Sequence, residues 1–330
     1  MENEMSPQEM VLSHTSQTTE AANIPIIDLS GLHQGPHARS LVIKDIGKAC
    51  RQMGFFQVVN HGICSSVIEG ALSSASDFFK LPIEAKMEFM SNDVNKPVRF
   101  GTSLLDGVER GQFRRAFLKK YAHPLKEWVG LWPSNPSHYR ENMSKYALEV
   151  RKVATEIMGA ITESLGLGPN YMTEKLEEGM QVIVSNFYPP CEEREAALGL
   201  APHSDFGCIT ILLQNHHGLE IMDPEDGTWR MVPELPGALQ VHVGDHLEVL
   251  SNGLYKSVIH RATLNSEKTR LSIASLHSLA MDEMIDIAKE LVDDKHPRGY
   301  RGSTFREFLK FISTNDITKG SFIESLKIKK

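Results

Sequence analysis

His203 and Asp205 stand two residues apart in Ala201-Pro202-His203-Ser204-Asp205-Phe206-Gly207, directly before the apolar run Ile209 to Leu213. Side chains two apart on a strand share a face, so this spacing can bring an imidazole and a carboxylate to one point. A second histidine would complete a metal site. His260 has the best context for that part, because it ends the β-like run Leu254 to Ile259 and precedes Arg261. Two histidines and one carboxylate on one face of a metal leave the opposite positions open, a donor set suited to Fe(II) and oxygen chemistry. Further along, Arg270-Leu271-Ser272 puts a guanidinium and a hydroxyl on one strand face, where together they can hold a small carboxylate.

These residues need elements to position them. From Gln181 onward the apolar pattern shortens into strand-length runs separated by turn residues: Gln181–Tyr188, Cys208–Gln214, Leu219–Met222, Trp229–Val232, Ala238–Val243, Leu247–Leu250, Tyr255–His260 and Leu271–Leu276. Short antiparallel strands in series predict a jelly roll. The preceding region is richer in helical spacing, with helices expected over Ala38–Gln52, Ser65–Phe79, Glu84–Met90 and Tyr139–Leu165, and strands at Ile24–Leu29 and Phe55–Asn60. The expected organisation is a disordered tail over 1–22, an α-rich region over 23–175, a strand-rich catalytic core over 176–280, and a C-terminal segment over 281–330, helical at Phe305–Ile312, packed on that core. The fold class is mixed α/β (α+β).

The order His203-x-Asp205, His260, Arg270-x-Ser272 resembles the plant 2-oxoglutarate- and Fe(II)-dependent dioxygenases. Flanking phrases agree, among them Asn186-Phe187-Tyr188-Pro189-Pro190-Cys191, Leu212-Leu213-Gln214 and Ser251-Asn252-Gly253-Leu254-Tyr255-Lys256-Ser257. The similarity runs from about Ile24 to the last fifty residues and is strongest toward flavanone 3-hydroxylase-like and salicylate hydroxylase-like members of disease-resistance type.

The resemblance implies a double-stranded β-helix core, with His203, Asp205 and His260 holding Fe(II). It implies Arg270 and Ser272 on the distal carboxylate of 2-oxoglutarate, with Tyr188 and Asn186 also touching that cosubstrate, O2 as oxidant and ascorbate as reductant. The reaction implied is oxidative decarboxylation of 2-oxoglutarate to succinate and CO2, coupled to hydroxylation or desaturation of a small molecule. An intact carboxylate at Asp205 disfavours halogenation, since halogenating relatives lack it. The implied pocket wall is Phe100, Phe117, Val184, Phe187, Phe206, Leu276 and Ser278, mostly apolar, which suits an uncharged flavonoid or other phenolic. Terpenoids, alkaloids and hormones are the alternatives, as is a noncatalytic binding protein on the same fold. The chain departs from relatives where Arg114-Arg115-Ala116 replaces a Trp-Arg-Asp-like phrase, and where Val184 and Leu276 replace the lysine and aromatic of some flavonoid enzymes.

Bulk properties narrow the field. With 41% hydrophobic residues in 330, the chain can bury a substantial core. A net charge of −7 argues against nucleic acid as partner. The four cysteines lack C-x-x-C spacing, so neither a zinc knuckle nor a disulfide framework is indicated. No apolar run has the length of a membrane span and the N-terminus lacks a signal-peptide layout, so a cytoplasmic monomer is expected. The remaining histidines, including His61, His216, His217, His242, His246 and His277, are expected in turns or satisfied in the core.

Overall fold

The computed structural model describes residues 20–103, 114–191, 198–315 and 321–328. Its strands in chain order are β1 (Ile26–Asp28), β2 (Phe55–Val59), β3 (Val98–Thr102), β4 (Ala116–His123), β5 (Met180–Tyr188), β6 (Leu198–His203), β7 (Ile209–Gln214), β8 (Leu219–Met222), β9 (Trp229–Met231), β10 (Leu239–Val243), β11 (His260–Thr263) and β12 (Arg270–Ser278). The helices that matter below are α1 (Pro36–Gln52), α2 (Ser65–Lys80), α3 (Tyr139–Ser164), α4 (Asp245–Leu250) and α5 (Phe305–Thr314).

Eight strands form one sheet in the order β1-β2-β10-β7-β12-β5-β4-β3, and four form a second in the order β6-β11-β8-β9. Apart from β1 with β2, the strand pairs are antiparallel. This is the jelly-roll arrangement of mixed α/β class that the strand pattern predicts.

The large sheet is buried on both faces in its middle: β7 reads as a nearly unbroken apolar run, and in β10 even the polar Gln240 and His242 are buried. One face packs on the helices. In α3, Tyr139, Met143, Tyr146, Val150, Val153, Ile157 and Ile161 repeat at three- and four-residue intervals, so they fall on one stripe. That stripe joins α1, α2 and the buried side of the sheet in the main core. The other face looks across to the small sheet, and the space between the two holds the site.

Four sequence expectations change. Leu247–Leu250 lies in helix α4 instead of a strand, because Gly244 and Asp245 open a helical turn whose backbone is tied to the 205–207 loop. A four-residue apolar run cannot distinguish the two states by periodicity. Tyr255–Ile259 is not a strand either. Its backbone partners are the Glu248 carboxylate, which accepts from Ser257 N at 2.7 Å, and Val243 O, which accepts from Val258 N at 3.3 Å. His260 therefore opens β11 and does not close a strand.

Order also begins before Asn23: Ala21 bridges Met231 and Ala22 is buried, while residues 1–19 of the expected tail lie outside the described residues. Finally, Val98–Thr102 and Ala116–His123 are strands β3 and β4, so the large sheet crosses the expected boundary at 175/176.

Candidate active site

β6 ends at His203, and Asp205 sits in the loop beyond it. The pair is thus gathered by a strand end and a turn, and not by the face of one strand. The loop is anchored from below: Asp245 N donates to Asp205 O at 2.7 Å and Gly244 N to Cys208 O at 3.0 Å. The approach is so close that a Cβ on Gly244 would lie 2.2 Å from Gly207 O and 2.9 Å from Asp205 O. His260, at the start of β11, pairs directly with His203 across the small sheet, and the two rings lie 4.3 Å apart.

The donor atoms converge. Asp205 Oδ1 is 3.8 Å from His203 Nε2 and 3.9 Å from His260 Nε2, and one ligand atom from each of the three residues falls within 4.8 Å of the others. Each imidazole is oriented through its other nitrogen: His203 Nδ1 donates to Ala201 O at 2.8 Å and His260 Nδ1 to Val258 O at 3.2 Å. This fixes the tautomer that leaves the Nε2 lone pair facing Asp205. Burial, then the neighbouring imidazole, lowers the His203 pKa to about 4. Burial likewise lowers His260 to about 4, against the pull of Asp205. Burial by itself would raise the Asp205 carboxyl, but His260, His242 and His203 outweigh it and hold the group below the usual carboxylate range. At neutral pH the site presents two neutral imidazoles and one carboxylate, the protonation state a divalent metal requires.

Beside this triad, β5 and β12 form one floor. Their register pairs Arg270 with Tyr188, Ser272 with Asn186, Ala274 with Val184 and Leu276 with Val182, so the floor runs from polar to apolar along the strands. Arg270 is 2% exposed, lies over the Tyr188 ring at 5.0 Å, and gives Nη2 to Gln214 Oε1 at 2.7 Å. Its Nη1 is buried with no partner among the described residues. A buried guanidinium with a free N–H is costly unless an anion completes it. Asn186 Nδ2 donates to Ser272 Oγ at 3.3 Å, fixing the hydroxyl next to that free position. The cavity shared by the triad, Arg270 and Ser272 has a volume of about 130 Å³. The residues therefore fit both groups: a facial donor set for Fe(II), and an incomplete cation for a carboxylate.

Of the expected pocket wall, Val184 and Leu276 line this cavity. The others do not. Phe100 and Phe187 project to the helix side of the sheet, 6.1 Å from Phe78 and 5.4 Å from Phe79 respectively, because strand alternation puts them opposite the floor residues. Phe206 stacks on both Phe305 and Phe308 of α5, at 4.4 and 4.3 Å. Ser278 is buried against His246 Nδ1 at 3.1 Å. Phe117 is opposite Asn186 in register, hence on the floor side of β4, where it touches Arg99 and Arg115.

Sequence inspection missed three lining or supporting residues. His242, expected to be satisfied in the core, lines the cavity with Nδ1 3.5 Å from Asp205 Oδ2 and with neither ring nitrogen hydrogen-bonded among the described residues. Gln214 steers Arg270, and Arg115 lines the cavity from the segment before β4. His277, by contrast, faces away and bonds Ser275 Oγ at 2.9 Å.

Comparison with known proteins agrees with this geometry. The family model of the 2OG-Fe(II) oxygenase superfamily matches residues 179–278, and that of the N-terminal region of the non-haem dioxygenases in morphine synthesis matches residues 24–135. The chain is 51% identical over 308 residues to rice 2-oxoglutarate-dependent dioxygenase 21, chloroplastic, covering 93% of this chain and 92% of that protein. It is 48% identical over 324 residues to rice flavanone 3-dioxygenase 3, covering 98% of each. Among solved structures, JOX2 in complex with 2OG, Fe and JA superposes with a TM-score of 0.83 at 33% identity, covering 99% of each chain. Identity at this level along nearly the whole of such relatives places the chain in the 2OG-Fe(II) oxygenase superfamily, as an Fe(II)- and 2-oxoglutarate-dependent dioxygenase.

Proposed function

We propose that this dioxygenase hydroxylates or desaturates a small, mostly apolar metabolite, a flavonoid or other phenolic, with His203, Asp205 and His260 as the Fe(II) ligands and Arg270 and Ser272 as the seat of the distal carboxylate of 2-oxoglutarate. The observation that carries the residue roles is the Nη1 of buried Arg270, without a partner among the described residues and set in the same cavity as the three converging donors. When bound, Fe(II) and 2-oxoglutarate supply the activation of O2, with succinate and CO2 as the cosubstrate's products.

The chain's own residues position and shield. Ala201 O and Val258 O keep the two Nε2 lone pairs aimed at one point. Gln214 and Tyr188 hold the Arg270 guanidinium so that a carboxylate meets a preoriented fork. Tyr188 and Asn186 flank the same carboxylate site. Val184, Leu212, Leu219 and Leu276 belong to the apolar part of the lining, which excludes water from the reacting carbon. The phenolic substrate class is supported by the flavanone 3-dioxygenase relative.

The test is anaerobic loading with Fe(II) and 2-oxoglutarate, then oxygen exposure with flavanones, salicylate, other phenolics, terpenoids and alkaloids, reading succinate and oxidised product. Succinate stimulated by a phenolic, with a product one oxygen heavier or two hydrogens lighter, is the expected result. Stimulation confined to terpenoids or alkaloids would overturn the substrate class, and bound iron and 2-oxoglutarate with no oxidation of any compound would favour a binding role.

A further inference from the structure

Three arginines line the cavity: Arg261 is ion-paired with Glu220 at 2.7 Å, Arg270 belongs to the cosubstrate site, and Arg115 is absorbed by neither. It lies just before β4, whose first residue, Ala116, pairs with Phe187, so the chain brings Arg115 alongside Tyr188. It lines the cavity together with Tyr188 and His203.

Around it the paired strands β3 and β4 form a basic strip. The Phe117 ring carries the Arg115 guanidinium at 4.6 Å and that of Arg99 at 5.0 Å. The ring can lie there because its register partner is Gly101, where a Cβ would come within 2.6 Å of ring atoms. Lys119, opposite Val184, follows on the same face of β4. Two guanidinium groups packed on one phenyl ring repel each other, and among the described residues neither forms an ion pair; the Nε of each is buried and without a partner. Asp93 bears on Arg99 and Lys119, but among the described residues no carboxylate acts on Arg115. Arg115 is thus a cation of the cavity with no carboxylate partner among the described residues, and such a group attracts an anionic ligand.

Resting on the oxygenase activity proposed above and narrowing its phenolic class to phenolic acids, we infer that the substrate of this dioxygenase carries a carboxylate, seated on Arg115 while an apolar body reaches the metal triad. The planar fork of arginine suits a carboxylate, whose two oxygens can each accept an N–H. An expectation of an uncharged substrate follows from the strand positions alone; Arg115 enters the cavity from outside the strands and changes that.

Benzoate and benzamide, alike in shape and different in charge, are the probes. Both are titrated calorimetrically into the anaerobic protein loaded with Fe(II) and 2-oxoglutarate, so that Arg270 is already occupied. Benzoate is expected to bind at least about tenfold tighter than benzamide, a preference lost in Arg115→Gln and partly kept in Arg115→Lys, which retains the charge without the fork. The 2-oxoglutarate Kd of both variants, read from the absorption of the anaerobic iron complex, is expected within about twofold of wild type. No benzoate preference in wild type, or one unchanged in Arg115→Gln, would overturn the inference. So would a large rise in the 2-oxoglutarate Kd of Arg115→Gln, which would assign Arg115 to the cosubstrate. Failure of wild type to bind 2-oxoglutarate at all would strike the proposed function itself.

Discussion

Arg270 joins the two halves of the site's chemistry. Three of its surroundings are satisfied: Gln214 accepts from it, Tyr188 lies beneath it, and Ser272 stands beside it. The free Nη1 is held ready at the cost of its desolvation, so a carboxylate arriving there meets a group that needs no reorganisation. Removing the guanidinium should therefore weaken cosubstrate binding and leave the metal ligands in place. Arg270→Ala is expected to raise the 2-oxoglutarate KM by about tenfold or more, with Fe(II) affinity changed by less than about threefold. Steady-state kinetics with varied 2-oxoglutarate and an anaerobic iron titration check both; an unaltered KM would remove Arg270 from the cosubstrate site. The histidines show the same preparation, since each spends Nδ1 on a carbonyl two residues away, leaving Nε2 free.

At the level of elements, the triad depends on how tightly the 205–207 loop lies on the start of α4. Gly244 makes that contact possible, and its φ of −105° is open to any residue, so close approach and not backbone freedom demands glycine. Gly244→Ala would push the loop away from Gly207 O and Asp205 O, displacing the one carboxylate of the donor set. The expected result is an Fe(II) Kd raised about ten- to hundredfold, together with a stability loss of about 1–3 kcal/mol from overpacking. Metal titration and urea unfolding separate the two effects; wild-type iron affinity in the variant would show that the loop does not set the carboxylate. From the other side, Phe305 and Phe308 of α5 both stack on Phe206, so the C-terminal segment also bears on the residue next to Asp205.

Across the whole molecule, the core contains histidines outside the triad that are buried neutral. Burial, then Arg151 and His123, lowers the His277 pKa to about 3, and burial lowers that of His246 to about 4, from 6.5. Such a group binds a proton in the unfolded chain near pH 6.5 but not in the native one, so stability falls as pH drops from 6.5 toward the native pKa. Asp245, pushed up to about 7 by burial, works in the opposite direction over part of this range. A difference measurement isolates one site. His277→Gln can keep the bond to Ser275 and cannot titrate. Between pH 7 and pH 4.5 its unfolding free energy should gain on wild type by on the order of 2–3 kcal/mol. Urea denaturation of both proteins at the two pH values checks this, and parallel losses would mean that His277 titrates alike in both states.

The sequence by itself determined the chemistry available and most of the local structure. His203-x-Asp205, His260 and Arg270-x-Ser272 are legible because metal and carboxylate sites need particular donors at particular spacings, and α1, α2, α3, β5 and β12 follow from side-chain periodicity. Only the tertiary structure decided which of the chemically plausible residues share the cavity. Local pattern does not tell which face of a strand looks inward, so Phe100 and Phe187 belong to the core while Val184 and Leu276 line the site. Nor does it show what a distant segment delivers: Arg115 and His242 reach the triad through pairings of β4 with β5 and of β10 with β7, contacts between residues far apart in the chain. The short run Leu247–Leu250 became helix for the same reason, its backbone partners being supplied by the Asp205 loop and not by its own sequence.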